Sequence, residues 1–286
     1  MVRRIIAAFV FAVGSLAASP LLVAASRPAF TPTELYCSGI VSRASPRTAG
    51  YVISGEDAFD KLQFLQGDVV YLHVASHARA ETGQQFLVIR AAQDPIPISW
   101  FHGQGKLEKR MGRLWEDVGR VRVIQVGKSV ATARIEDSCA PMERGDLLVP
   151  FESRPAPFTA NRARSPLRHA GSGPIGRVVI SKNFRQLLAS GSIAYVNLGT
   201  RAGVKVGDRL SLFRYPGSED SNVYQTPGIA TSVKGFGHAP VDKVPPRLPR
   251  EIIGEAIVLR VSPTAATVLL TASRREIALG DYAQIE

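Results

Sequence analysis

The chain has 286 residues, enough for two domains of modest size, and 45% of them are hydrophobic, so each half can bury a core. Its 35 Lys and Arg against 24 Asp and Glu give a formal charge of +11. That balance favours anionic partners, although a basic surface is also common on exported proteins that bind no polyanion. Two cysteines cannot build a four-ligand zinc site alone.

In chain order, Val2-Arg3-Arg4 and the apolar run Ile5 to Leu16 have the charged and apolar regions of a secretory signal, and residues 1–25 are read as a signal peptide. Cleavage fits after Ala18 or Ala25; a retained anchor is the other reading, since the apolar run resumes after Ser19-Pro20. Removing Arg3 and Arg4 leaves a charge of about +9. No later segment is long and apolar enough to cross a bilayer. The only cysteines, Cys37 and Cys139, are expected to pair as a disulfide in an oxidising compartment, against the alternative of two separate buried thiols.

Self-similarity is the main signal. A shift of 124 residues places Gly67-Asp68-Val69-Val70-Tyr71-Leu72 on Gly191-Ser192-Ile193-Ala194-Tyr195-Val196, Gly83 on Gly207 and Arg90 on Arg214. A shift of 135 then places Gly119 on Gly254, Ala131-Thr132 on Ala266-Thr267, and Gly145-Asp146 on Gly280-Asp281. Two collinear ungapped blocks predict a duplicated unit: residues 26–152, a linker over 153–174, and residues 175–286. Each copy reads as five short β-rich strands separated by turns, with few helix-length runs. The expected class is therefore all-β, two tandem small barrels or sandwiches. The recurring Gly-Asp pairs read as turns whose aspartates bond nearby backbone amides, rather than as catalytic acids.

The linker is rich in proline and carries Arg154, Arg162, Arg164 and Arg168. It reads as a flexible, solvated spacer; a grip on phosphate or carboxylate is the sharper alternative. A second Gly- and Pro-rich stretch, Tyr215 to Arg250, reads as a mobile loop inside the second copy.

No phosphate-cradling loop, nucleophile elbow or paired-histidine helix is present. His73 and His77 are four apart but fall on a strand and its turn, where that spacing aligns no ligands. No metal or cofactor is expected. Trp100, Phe101 and Trp115 lie in the middle loop of the first copy. They are expected to cap the barrel core, with stacking on a sugar as the alternative. Between the copies, Arg122 becomes Ile257 and Arg134 becomes Leu269, at positions that alternate with likely core residues. This apolar face is expected to be covered, by the first copy, by the loop or by a partner protein; the other reading places both residues in the core.

The run Gly191-Ser-Ile-Ala-Tyr195-Val-Asn197-Leu-Gly199, then Gly203-Val204 and Gly207-Asp208, and later Gly254 and Gly280-Asp281, resembles the C-terminal domain of the flagellar assembly protein T family. The resemblance covers the second copy and, more weakly, the first, where His73 replaces Asn197. It implies SH3-like β-barrels in a periplasmic protein associated with the flagellar basal body. The expected function is an exported, non-enzymatic binding or scaffold protein of the cell envelope, periplasmic or secreted. Its expected partner is an anionic cell-wall polymer such as peptidoglycan, or an envelope protein of a larger machine. An accessory or catalytic component of an enzyme acting on envelope polymers is the alternative. Nucleic acid is not expected, because Phe158 is the only aromatic in the basic linker.

Overall fold

A computed structural model describes residues 30–76, 78, 80–95, 98–157, 173–215 and 250–286. Residues 1–25, the linker arginines Arg162, Arg164 and Arg168, and residues 216–249 of the long loop lie outside the described residues.

The first half opens with helix α1 (Pro32–Tyr36), whose start is closed by a capping box between Thr31 and Glu34. Strands β1 (Ile40–Ser42), β2 (Gly50–Gly55), β3 (Val69–Val74) and β4 (Gln85–Ala92) follow, then helix α2 (Gln104–Met111). Strands β5 (Arg113–Val126), β6 (Ala131–Ser138) and β7 (Leu147–Pro150) complete it. The second half holds β8 (Ile175–Ser181), β9 (Leu187–Leu188), β10 (Ile193–Val196), β11 (Arg209–Arg214), β12 (Glu251–Val261), β13 (Ala266–Ser273), β14 (Ile277–Ala278) and β15 (Tyr282–Ile285).

Each half closes into a six-stranded antiparallel barrel. The first runs β2-β3-β6-β5-β4-β7 and returns to β2, and the second runs β8-β10-β13-β12-β11-β15 and returns to β8. Registers match between the copies: Tyr71 pairs with Thr132 and Tyr195 with Thr267, while Phe86 pairs with Val121 and Leu210 with Ala256. The sequence predicted five strands per copy. The sixth, β2 and β8, was missed because GYVISG and IGRVVIS share little identity.

The Gly-Asp pairs are turns. Gly67, Gly145, Gly207 and Gly280 have φ between +90° and +101°, where a Cβ is strained. Each following aspartate accepts from the amide three residues before it: Leu65 to Asp68, Glu143 to Asp146, Lys205 to Asp208 and Ala278 to Asp281. Two of these aspartates also grip a strand arginine with two hydrogen bonds, Arg90 to Asp146 at 2.6 and 2.7 Å and Arg214 to Asp281 at 3.0 and 2.7 Å. Both guanidiniums reach a further backbone carbonyl, Pro141 or Glu276. A fork-on-fork ion pair of this kind ties one strand to the turn opposite.

The barrels are packed together. Val121 and Val123 fill the first barrel, and their equivalents Ala256 and Val258 fill the second. The intervening Ile257 and its cross-strand partner Leu269 therefore lie on the outer face. That face is covered by the N-terminal segment of the first half: Ile257 and Leu269 share an apolar cluster with Phe30, Leu35 and Val41. On the same face, Tyr195 donates to the carbonyl of Ser38 at 2.9 Å and Thr267 to that of Gly39 at 3.0 Å. Gly39, at φ +64°, must be glycine, because a Cβ there would meet the Tyr195 hydroxyl at 2.7 Å. Burial pushes the Tyr195 phenol far above its ordinary pKa, so it serves as a neutral donor.

Candidate functional site

The segment that covers the second barrel is held to the first by the Cys37–Cys139 disulfide, with Cα atoms 5.4 Å apart. Cys139 directly follows β6, so the bond joins the end of that strand to the end of α1. A disulfide belongs to an oxidising compartment outside the cytoplasm.

A buried acid is the second clamp. Asp117 on β5 accepts from the Gly39 amide at 2.9 Å, from Arg154 at 2.8 and 2.9 Å, and from Arg260 of β12 at 3.3 Å. One carboxylate thus joins the N-terminal segment, the first barrel, the start of the linker and the second barrel. Arg154 is therefore not a solvated spacer residue. A buried carboxylate needs compensating charge, and Arg154 is drawn down to supply it. Burial lowers the pKa of Arg260, and Asp117 opposes the shift; a guanidinium stays charged regardless.

These clamps leave a cleft between the barrels of about 760 Å³, with Leu87, Ile89, Trp115, Val149, Leu259 and Val261 among its apolar walls. Ser42, Ala44, Ser45 and Trp115 are also walls of a second cavity of about 290 Å³. That cavity is lined by Arg43, Lys109 and Arg113 and by no acidic residue. A third hollow of about 440 Å³ shares Lys109, Gly112 and Arg113 and runs on to Phe184 and Leu279 of the second half. The three form one groove with a basic waist. Arg43, Arg47, Lys109 and Arg113 make no ion pair or hydrogen bond among the described residues; Arg113 lies over the Trp115 ring at 5.8 Å. The waist's three cations, with no acidic residue in its lining, raise the local anion concentration, while Asp94, Glu108 and Glu152 line the hollows on either side.

The remaining expected site residues are placed as follows. Trp115 is 8% exposed and is a wall of the groove, so it is not an open sugar-stacking platform. Phe101 is 1% exposed and sits against Gly280 and under Arg177, inside the interface between the halves. Trp100 is half-buried, and its amide donates to Gln104 at 2.7 Å. Ile257 and Leu269, at 1% and 4% exposed, are covered within the chain and are not surfaces for a separate partner. The physical reason is that the chain's own N-terminal segment removes them from water.

Sequence reasoning missed Asp117 and the basic waist. Glu116 and Asp117 interrupt the apolar stretch between Trp115 and Val118, and the second copy has Ile252 at the position matching Asp117. That contrast is the signal by which Asp117 could have been found. Arg43, Lys109 and Arg113 are far apart in sequence and carry no such signal. Among the described residues no group of three His, Cys, Asp or Glu could hold a metal ion, and no helix is long and apolar enough to cross a membrane. No protein-family model matches the chain, and no curated protein matches it.

Proposed function

We propose that this protein is an exported, non-enzymatic binding or scaffold protein of the cell envelope, periplasmic or secreted, that holds an anionic cell-wall polymer along the groove between its barrels. The observation that carries this reading is the set of four cations, Arg43, Arg47, Lys109 and Arg113, that make no ion pair among the described residues and lie along one continuous groove. The disulfide supports an oxidising location. A scaffold role is supported by the way Asp117 and the disulfide join the halves, which keeps the groove walls at a set spacing. The one fully buried acid in the groove is held by two arginines and an amide, which leaves it poorly placed to transfer protons. The resemblance to the flagellar family favours a place beside a larger envelope machine.

The test is co-sedimentation of the full chain with purified cell wall across a salt series. Binding should fall steeply with salt, because exposed charges are screened within about 3 Å at 1 M. Replacing Arg43, Arg47, Lys109 and Arg113 by alanine should weaken it at least about tenfold. Binding that ignores both salt and these substitutions overturns the reading.

A further inference from the structure

The groove's two ends differ in chemistry. The 290 Å³ waist is lined by three cations, Ser42 and Ser45. The 760 Å³ cleft beside it carries an aliphatic strip from both barrels, Ile40, Leu87, Ile89, Val149, Leu259 and Val261, between charged and serine side chains. That volume is typical of sites that engulf a small molecule rather than a flat polymer-tracking surface. Its buried acid Asp117 is paired with Arg154 and Arg260, while Glu152 and Arg47 stand exposed along its wall. Trp115 is a wall of both cavities.

We infer that the groove takes an anionic amphiphile, a hydrocarbon chain ending in a phosphate, with the phosphate at Arg43, Lys109 and Arg113 and the chain in the cleft between the barrels. This rests on the proposed envelope function and names the part of the polymer that is held: its lipid-linked, phosphate-bearing end rather than its repeating sugars. Charge complementarity places the headgroup, because no acidic residue lines the waist. Apolar burial holds the chain, at about 0.8 kcal/mol for each methylene removed from water.

The two tryptophans make the test direct. In full-length Trp100→Phe protein, Trp115 is the single reporter at the junction. Dodecyl phosphate, added below its critical micelle concentration, should change Trp115 emission saturably. It should bind at least about tenfold more tightly than inorganic phosphate, and at least about tenfold more tightly than dodecyl maltoside. Arg43→Ala with Lys109→Ala and Arg113→Ala should remove the preference over dodecyl maltoside while the circular dichroism spectrum is unchanged. Val206→Asp, at a cleft wall that is 44% exposed, should weaken dodecyl phosphate but not inorganic phosphate. Equal affinity for inorganic phosphate, equal affinity for dodecyl maltoside, or no saturable binding each overturns the inference. Cell-wall binding without dodecyl phosphate binding overturns this inference and leaves the polymer reading standing. Dodecyl phosphate binding without cell-wall binding supports this inference and overturns the polymer reading.

Discussion

The first barrel turns Arg122 and Arg134 outward at the cross-strand pair where the second barrel buries Ile257 and Leu269. Fold, strand order and register are the same around both pairs. In the first barrel this face meets water, and Arg122 pairs with Glu136 on the surface. In the second it lies under the segment from Phe30 to Val41. The same asymmetry reaches the shared ion pair. Arg214 is 8% exposed beside Asp281, whereas Arg90 is 30% exposed beside Asp146. One duplicated unit has thus become a water-facing barrel and a covered one, and the segment stapled to the first does the covering.

Four experiments break or sharpen that contrast. Ile257→Arg with Leu269→Arg places two charges under the N-terminal segment, and should cost more than about 4 kcal/mol in urea unfolding. The matched change in the first barrel, Arg122→Ala with Arg134→Ala, should stay within about 0.5 kcal/mol for each substitution. Equal effects would mean that the two faces are not differently covered.

The disulfide comes next. It joins cysteines 102 residues apart, and the chain-entropy model gives about 4 to 5 kcal/mol as an upper figure for such a loop. Cys37→Ser with Cys139→Ser should lower stability by up to that amount. Hydrogen exchange should then rise at Tyr195 and Val268 of the second barrel as well as in the first, because the staple holds the cover of the second. Exchange that changes in the first barrel alone would separate the staple from the cover.

Asp281→Asn removes the buried charge partner of Arg214 and leaves only the exposed Glu276 at 3.5 Å, and should cost about 3 kcal/mol. Asp146→Asn should cost less, because water reaches Arg90. Paired denaturation curves of the two variants decide this. An equal loss would show that the difference in burial has no energetic weight.

The smallest effect is on the acid stability of the first barrel. The Lys61 ammonium holds Asp68 of the first barrel below the ordinary carboxylate pKa. Its contribution is present above the unfolded pKa, near pH 4, and is lost as pH falls through the lower folded value. Residue-resolved hydrogen exchange between pH 6 and pH 3 should show this Asp68 contribution to the first barrel shrinking, and Lys61→Ala should reduce it, leaving the part due to the Leu65 amide. A Lys61→Ala variant with an unchanged acid profile would exclude the pair as its source.

Much of the fold can be read in the sequence because its signals are local or repeated. Gly67-Asp68, Gly145-Asp146, Gly207-Asp208 and Gly280-Asp281 each need a positive-φ glycine and an acceptor three residues from an amide, and both requirements sit within one short segment. Arg90 and Arg214 recur because each barrel needs the same strand-to-turn ion pair. Strands β2 and β8 escaped, since a strand needs only alternation and many sequences satisfy it.

The sequence by itself determined the duplication, the all-β class, the turn chemistry and the pairing partners Cys37 and Cys139, because each follows from short-range stereochemistry, from internal comparison or from there being only two thiols. Only the tertiary structure decided where the two copies meet. Asp117 draws Gly39, Arg154 and Arg260 together from positions up to 221 residues apart in the chain, as a buried charge must find its partners wherever the fold supplies them. The groove is decided the same way. Arg43, Lys109 and Arg113 are ordinary surface cations one by one, and they become a site because the first half folds around α2 and the start of β5.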